Sequence, residues 1–352
     1  MPKRAVLLIN LGTPRSTEVS DVRDYLEEFL GDRRVIDAPS PIREYILYAK
    51  TLRTRPAKTA EAYKKIWKDE GSPLLLLTEE LQRKLQERIS LPVHIAMRYQ
   101  EPSIASALSQ LQAEGVEEVF LMPLYPHYAM STYETVMAKV YEELPKVAPN
   151  IRIDALRPFY KEPGYIEALY DSAKEYLEKP YDFILFSYHG IPARHLRKGD
   201  PSNCHCMRAA NCCETPSPIH EVCYRAQCIR TTHDIVRRAG IPKEKFGISF
   251  QSRFGKEPWL EPYTDQEFER LGREGKVKRL LVMCPAFACD CLETLEEIQM
   301  EGKEIFLEAG GESFEQIPCL NVHPSWLDFL QKHVEDYLTM REEAHAGKTV
   351  VV

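Results

Sequence analysis

Short apolar runs alternate with longer amphipathic segments along most of the chain. The runs are rich in Val, Ile, Leu and Phe and end at turn residues, which is typical of strands buried on both faces. They cover residues 5–11, 93–97, 119–124, 151–156, 183–188, 246–250 and 280–284. The segments between them, such as 74–89 and 163–177, have apolar residues at helical spacing. This alternation predicts the α/β class, with parallel sheets flanked by helices.

The length of the chain fits two such blocks. At roughly 150 residues per domain, 352 residues predict two domains. The turn at Pro149 and Asn150 separates the runs, so we expect a first domain over 1–150 and a second over 151–323. Residues 324–352 are predicted to form a last helix and a tail that pack back on the body.

Composition narrows the class of protein. The chain has 46 Lys and Arg against 53 Asp and Glu, a net charge of −7, which gives no electrostatic footprint for nucleic acid. No apolar run approaches the roughly 20 residues of a membrane span, so a cytoplasmic protein is expected, with peripheral membrane contact left open. The loops after the predicted strands hold no glycine-rich phosphate cradle, so no nucleotide cofactor is expected.

Cysteines are concentrated in one segment. Six of the ten lie within residues 204–228, and we refer to residues 201–228 as the cysteine-rich insert. In a reducing cytosol such a cluster indicates metal or iron–sulfur ligation more readily than disulfides. Four thiolates are enough for a [2Fe–2S] centre or a structural zinc, and the spacing does not say which four serve. The candidates are Cys204, Cys206, Cys212, Cys213, Cys223 and Cys228.

One histidine directly follows a predicted strand. His189 comes at the end of the run 183–188 and precedes Gly190. Ligands of open parallel sheets bind beyond the carboxyl ends of the strands. A histidine there can take a proton or bind a metal near neutral pH, and a hydrogen-bonded structural histidine is the plainer alternative.

An acidic row follows the last predicted strand. Glu293, Glu297 and Glu301 are four residues apart, so a helix aligns their carboxylates on one face. Such a row is a ladder of oxygen ligands along which a divalent cation can move. The alternative is a solvated acidic face, with Glu293 stabilising the helix N-terminus.

Aromatic residues and one arginine occupy further strand ends. Tyr99, Tyr125 and Phe287 lie where a planar apolar ligand could stack, although core packing explains any one of them equally well. Arg98 is a candidate partner for carboxylates on such a ligand.

Several motifs in order along the chain resemble those of one enzyme family, the ferrochelatases. The matching segments are 10–14 (Asn-Leu-Gly-Thr-Pro), 63–66, 71–74, 97–99 (Met-Arg-Tyr), 123–128, 187–192, 251–255 and 290–297. Each motif alone is weak, but their shared order covers most of the chain.

The resemblance implies two Rossmann-like domains in a chelatase fold, with a porphyrin cleft between them. Members insert Fe2+ into protoporphyrin IX to give protohaem and two protons, the last step of haem biosynthesis. The active-site histidine of the family falls on His189 and the facing glutamate on Glu293, so both are expected to be catalytic and to bind Fe2+. The path behind them falls on Glu297 and Glu301. The expected porphyrin contacts are Leu11, Arg98, Tyr99, Tyr125 and Phe287.

Two features depart from the most common family pattern. Many members have a histidine after the aspartate of the last motif, where this chain has Cys291. The cysteine-rich insert resembles the internal segment that holds a [2Fe–2S] cluster in some bacterial members, which favours that cluster over zinc. Three alternatives stay open: a coproporphyrin III ferrochelatase, another tetrapyrrole chelatase, and, from a different class, an iron–sulfur redox sensor on a Rossmann-like scaffold. The sequence does not predict the oligomeric state.

Overall fold

The first of two parallel sheets is built around the first strand of the chain. A computed structural model describes residues 2–255 and 257–345. The sheet contains β1 (Arg4–Gly12), β2 (Val93–Tyr99), β3 (Glu118–Pro123) and β4 (Arg152–Ala155), in the order β2-β1-β3-β4. Each pair is parallel, and Leu7 and Ile9 in the central strand are fully buried. The near-continuous apolar runs therefore correspond to central strands covered on both faces.

The second sheet repeats the arrangement of the first. It contains β5 (Phe183–His189), β6 (Phe246–Gln251), β7 (Arg279–Met283) and β8 (Ser313–Gln316), in the order β6-β5-β7-β8. All three pairings are again parallel. The predicted α/β class with helix-flanked parallel sheets is confirmed.

The predicted boundary between the halves falls one strand early. The sequence places the run 151–156 in the second domain, but β4 pairs with β3, with Val119 opposite Ile153. The turn at Pro149 and Asn150 connects α6 to the edge strand of the first sheet, so that assignment is wrong. Which strands pair is decided by contacts across the sheet, and a turn signal in the local sequence does not reveal it. The remaining domain bounds stay predictions.

Helices flank both sheets and fill the connections between strands. The α-helices are α1 (Val19–Gly31), α2 (Ser40–Glu44), α3 (Leu52–Ile66), α4 (Pro73–Gln86), α5 (Ile104–Ala113), α6 (Thr135–Val147), α7 (Pro163–Leu177), α8 (Ala193–Lys198), α9 (Tyr224–Ala239), α10 (Thr264–Glu274), α11 (Lys303–Glu308) and α12 (Pro324–His345). The described residues also form π-helical segments at Tyr45–Thr51, Met130–Glu134 and Glu293–Gly302, and 3₁₀ turns at Pro218–Val222 and Lys243–Lys245. None of the described helices is long and apolar enough to cross a bilayer.

The last helix ties the two halves together. The largest apolar cluster runs from β1 and β3 through α4, α7 and α12 to β5 and β7, so the halves share one core. Tyr337 of α12 stacks on Phe120 of β3 at 4.6 Å, and Arg341 pairs with the buried Glu118. Through these contacts the last helix packs on β3 of the first sheet. The tail at 346–352 lies outside the described residues.

Candidate active site

His189 is the last residue of β5 and is half-buried between two aromatic rings. Its ring centroid lies 6.5 Å from that of Trp259 and 6.4 Å from that of Phe287. Its Nδ1 is 2.6 Å from the Gly190 carbonyl oxygen. A proton on Nδ1 satisfies this contact and leaves a lone pair on Nε2. The imidazole can therefore accept a proton or bind a metal ion.

The backbone beside His189 is held on both sides. The Gly190 N–H donates to the Gln251 carbonyl oxygen at 2.8 Å, and the Tyr224 hydroxyl donates to the His189 carbonyl oxygen at 2.9 Å. A Cβ on residue 190 would lie 2.9 Å from the same Gln251 oxygen and 3.2 Å from Trp259. Glycine is required at position 190 because the backbone segments that contain Gly190 and Gln251 approach so closely.

The acidic row lies on a π-helix instead of the predicted α-helix. Residues Glu293–Gly302 form i→i+5 hydrogen bonds, a geometry found frequently at functional sites. The side-chain amide of Gln251 donates to the Glu293 carbonyl oxygen at 2.8 Å and lies 3.5 Å from Glu297 Oε2. Since Gln251 pairs with His189 in the sheet, one residue joins the histidine strand to the acidic helix.

Glu297 is the most perturbed carboxyl group in the row. Burial raises its pKa to about 7, the nearby charge of Glu293 adds to the effect, and hydrogen bonds from Ser252 oppose it. The Ser252 N–H donates to Glu297 Oε1 at 2.7 Å, from a backbone with φ of 67°. Glu297 can therefore exchange a proton near neutral pH.

The row reaches the protein surface at its far end. Glu301 is exposed, whereas Glu293 and Glu297 are partly covered. Arg55 of α3 also belongs to this region: burial lowers its pKa, while the charges of Glu293 and Glu297 oppose the shift. Its guanidinium lies 4.6 Å from the centroid of the Phe254 ring.

Arg98 and Tyr99 at the end of β2 are engaged with Asp32. Arg98 Nη2 donates to Asp32 Oδ2 at 2.6 Å, and the Tyr99 hydroxyl donates to the same oxygen at 3.1 Å. The Arg98 guanidinium also covers the Tyr99 ring, 4.3 Å from its centroid, and Tyr99 is fully buried. In this geometry both side chains are engaged with Asp32, and their direct contact with a porphyrin stays a prediction.

Leu11 and Tyr125 lie where the first sheet meets its neighbours. Leu11 packs against three separate apolar clusters at the end of β1. Tyr125 is buried with its hydroxyl unpartnered in the described part of the chain, and burial raises its pKa far above the ordinary value. Their contact with a macrocycle also stays a prediction.

Sequence reasoning alone does not single out four residues of this region. Gln251 and Ser252 fall within a motif that carries the resemblance, but neither side chain titrates, so chemistry does not mark them. Tyr25 and Tyr63 face the acidic helix, with rings 6.5 Å apart. Burial raises the pKa of Tyr63 far above its usual value, and the charge of Glu293 adds to it. They look like core residues in the sequence, because their helices are amphipathic.

Four of the six insert cysteines contact one another. The pKa of the Cys213 thiol lies far above its usual value, first because it hydrogen-bonds with Cys223 and then because it is buried. The Cys212 and Cys213 sulfurs are 3.9 Å apart, and burial raises the pKa of the Cys206 thiol while the neighbouring Cys223 thiol opposes that shift. Cys204, in contrast, is exposed.

The sixth cysteine belongs to a helix. Cys228 is fully buried within α9, one turn beyond Tyr224, whose hydrogen bond lowers its pKa against the larger raising effect of burial. No three His, Cys, Asp or Glu side chains in residues 2–255 and 257–345 are gathered as a formed metal-ion site. The four contacting thiols nevertheless have the donor chemistry of an iron–sulfur or zinc centre.

The chain has two parallel sheets of identical strand order, and a histidine and acidic residues lie at the carboxyl edge of the second. This arrangement is that of a chelatase fold. SirB from Bacillus subtilis, solved with Fe3+, superimposes with a TM-score of 0.54 at 12% identity, over 95% of each chain. The sirohydrochlorin chelatase SirB from B. subtilis subspecies spizizenii, solved in complex with cobalt, gives 0.50 at 12% identity, over 93% of this chain and 91% of that one. These likenesses establish the fold.

Sequence comparison identifies the family within that class. The ferrochelatase family profile matches residues 3–338. The ferrochelatase of Opitutus terrae is 53% identical over 96% of this chain and 99% of its own, and that of Ectopseudomonas mendocina is 49% identical over 94% and 97%. The chain belongs to the ferrochelatase family, whose enzymes insert a metal ion into a porphyrin.

Proposed function

We propose that this chain inserts Fe2+ into protoporphyrin IX at the carboxyl edge of the second sheet, with His189 and Glu293 as the reacting groups. The observation that carries the proposal is Gln251, which joins the strand of His189 to the helix of Glu293 and Glu297. In the reaction two pyrrole N–H bonds break, four Fe–N bonds form and two protons leave, with no change of oxidation state.

His189 supplies the base in this proposal. Its Nδ1 contact with Gly190 leaves Nε2 free to accept a pyrrole proton or to bind Fe2+ as it is delivered. The flanking rings of Trp259 and Phe287 form an apolar wall, which suits a planar macrocycle and limits competing water.

The acidic helix supplies the route for metal or protons. Carboxylates are hard oxygen ligands that can replace the water shell of a divalent ion step by step. Glu301 is exposed at one end, and Glu293 lies beside Gln251 at the other. Glu297 lies between them, and its pKa of about 7 suits a group that passes protons at neutral pH.

Protoporphyrin IX is favoured over coproporphyrin III as the substrate. Its two carboxylates need fewer cations than the four of coproporphyrin. Arg98 is already paired with Asp32 and Lys65 with Glu296, and Arg55 lies beside the acidic row. Parallel assays with both porphyrins separate the two substrates, because the true one gives the higher kcat/KM.

The decisive experiment is anaerobic loss of protoporphyrin IX fluorescence on addition of Fe2+. Wild type should quench it rapidly, and His189→Ala should lower turnover by about 100-fold or more, since general acid–base groups contribute 10²–10⁴-fold. His333→Ala removes a histidine of α12 that is paired with Glu162, and it should keep the wild-type rate. Equal turnover of wild type and His189→Ala would remove His189 from the mechanism. The redox sensor would be favoured by a folded wild type that shows no turnover and whose function is lost when the cysteines are replaced but not when His189 is replaced.

We further propose a [2Fe–2S] cluster on Cys206, Cys212, Cys213 and Cys223. Mutual contact among these four thiols, and the exposure of Cys204, support this choice of ligands. The cluster would supply a cross-link of the insert, and metallation itself requires no electron transfer. Each single Ser substitution of these four should abolish the visible absorption between roughly 400 and 550 nm, whereas Cys204→Ser should keep it. A colourless protein with one bound zinc would establish the alternative.

Peripheral membrane contact through α2 and the π-helical segment after it is a further proposal, for a cytoplasmic enzyme with an apolar substrate. Ile42, Tyr45 and Tyr48 are exposed there by 53%, 60% and 48%. Aromatic side chains favour the interface between water and lipid. Sedimentation with phospholipid vesicles should decrease for a variant with Ser at these three positions, and equal sedimentation would exclude this surface.

A further inference from the structure

Tyr224 lies where the cysteine-rich insert meets the strand of His189. It begins α9 and directly follows Cys223, the N-cap residue of that helix, whose thiol lies beside those of Cys206 and Cys213 and perturbs the pKa of both. The Tyr224 side chain is buried, and its hydroxyl donates to the His189 carbonyl oxygen at 2.9 Å. Tyr224 therefore links its neighbour Cys223, a cysteine of the insert, to the backbone carbonyl of the proposed base, His189.

The body of α9 is anchored without Tyr224. Thr232 bonds the Tyr188 hydroxyl at 2.7 Å, and Thr231 bonds His127 Nε2 at 2.9 Å. Gln227 also accepts from the Tyr128 N–H at 2.7 Å. Because these contacts hold the helix, removal of the Tyr224 hydroxyl should leave the helix in place and affect only the backbone at the end of β5.

That local effect falls on the peptide group between His189 and Gly190. Its oxygen accepts from Tyr224 and its N–H donates to Gln251, so it is held at both ends. The imidazole Nδ1 contacts the next carbonyl oxygen, that of Gly190. Rotation of the held peptide would move both the Cα of His189 and the oxygen that orients its ring.

We infer that Tyr224 is a positioning residue for His189, and that the state of the cysteine-rich insert acts on metal insertion through this tyrosine. The inference rests on the proposed role of His189. A small displacement of a catalytic group costs much of its rate contribution, since proximity and orientation are steep functions of distance. Loss of the Cys223 contacts loosens the N-terminus of α9 and, with it, the hydroxyl that holds the His189 carbonyl.

Tyr224→Phe tests the positioning role by removing only the hydroxyl. We expect kcat to fall about tenfold with little change in the KM for porphyrin, because the base is misoriented while the binding walls stay in place. Tyr188→Phe is the matched control. It removes another buried tyrosine hydroxyl bonded to α9, from a side chain that points to the opposite face of the strand, and it should keep the wild-type kcat.

A second readout does not depend on turnover. In protein labelled with 15N-histidine, Tyr224→Phe should shift the ring resonances of His189, which His189→Ala identifies by their loss. Tyr188→Phe should leave them in place. Unshifted resonances together with an unchanged kcat in Tyr224→Phe would overturn the inference.

Coupling to the insert is tested by combining variants. Cys206→Ser should lower kcat several-fold in the wild type and have little further effect in Tyr224→Phe, because both changes act through the same hydrogen bond. Cys204→Ser, at an exposed position, should change neither background. Fully multiplicative effects of Cys206→Ser and Tyr224→Phe on kcat would show that the two residues act independently, and would refute the coupling of the insert to the tyrosine. Full activity of His189→Ala would refute the proposed function, whereas an inactive His189→Ala beside a normal Tyr224→Phe would refute only this inference.

Discussion

The two sheets have the same strand order and opposite kinds of loops at their carboxyl ends. The first sheet ends in Leu11, Tyr99 and Tyr125, which are apolar or buried, and the second ends in His189 and Gln251 beside an acidic helix. Identical topology brings both sets of strand ends to corresponding places. The comparison teaches that a repeated scaffold can present apolar, buried strand ends in one half and exchangeable groups in the other, which is the division of roles that we propose for the site.

The halves also treat buried charge differently. In the first half, burial alone would raise the pKa of Asp32, but hydrogen bonds from Thr135 and Arg34 and the charge of Arg98 outweigh burial and lower it. In the second half, the hydrogen bonds to Glu297 do not outweigh burial, and its pKa rises to about 7. Asp32 in the first half is therefore held charged, whereas Glu297 in the second half can exchange a proton near neutral pH.

The largest predicted effect tests whether chemistry is confined to the second half. Glu293→Gln should lower kcat for Fe2+ insertion by about 100-fold, because an amide neither takes a proton nor binds Fe2+ well. Glu296→Gln, on the same helix but paired with Lys65 at 2.6 Å, should stay near the wild-type rate. Anaerobic fluorescence assays of the two variants decide the matter, and equal rates would return Glu293 to a helix-capping role.

Breaking the charge pair of the first half should affect the frame instead. Asp32→Asn leaves the buried Arg98 without its counter-ion and should lower the free energy of unfolding by about 3 kcal/mol, as measured by urea denaturation. Asp24→Asn, which removes an exposed partner of Arg15, should cost less than about 1 kcal/mol. In the assay, KM for porphyrin should rise more than kcat falls, and the reverse would contradict the division of roles.

A smaller effect is expected from the pH dependence that Glu297 imposes on stability. Its folded pKa of about 7 lies above the ordinary 4.5, so the stability it allows is complete below pH 4.5 and is lost as pH rises toward 7. The loss is about 2 kcal/mol by pH 6, since each tenfold change in proton affinity between the folded and unfolded protein is worth about 1.4 kcal/mol. Glu297→Gln should therefore gain stability over wild type between pH 5 and 8 in urea titrations. A difference that does not change with pH would show that the carboxyl is not perturbed.

The smallest predicted effect has the opposite sign and lies in the first half. Burial lowers the pKa of His127 to about 3, so its neutral form is favoured in the folded protein. Stability is then complete above pH 6.5 and is lost as pH falls toward 3, by about 1.4 kcal/mol at pH 5.5. His127→Gln keeps a donor for Thr231 and should make unfolding less sensitive to acid over this range. Parallel pH profiles of the two proteins would refute the assignment.

Much of the fold could be predicted because its strands are strongly marked. Buried parallel strands are continuous apolar runs, and every run identified in the sequence lies on a strand. The edge strand β4 is predicted in the wrong half, since the turn before it is an ordinary helix-to-strand connection and its own residues are only partly buried. The sequence does not predict the π-helix either, because four-residue spacing aligns Glu293 with Glu297 on either kind of helix.

The sequence predicts the titratable residues of the candidate site, whose roles stay predictions, and does not predict the residues that support them. His189 and the glutamate row carry chemistry that a strand end or a helix face reveals. Gln251, Ser252 and Tyr224 act through hydrogen bonds whose partners lie far away along the chain, and nothing local marks them. Tyr99 could be placed at a strand end, but its complete burial follows from the three-dimensional packing of α1 against β2.

The close approach of Gly190 to Gln251 and Trp259 has a consequence for how this enzyme can change. No side chain fits at position 190, so the histidine strand offers substitution little room. The acidic helix faces Arg55, Lys65 and solvent, and its carboxylates can be exchanged or shifted without such a clash. Adaptation to another metal, in nature or by directed evolution, should therefore accumulate on the helix that we propose delivers the ion and spare the strand that carries the proposed base.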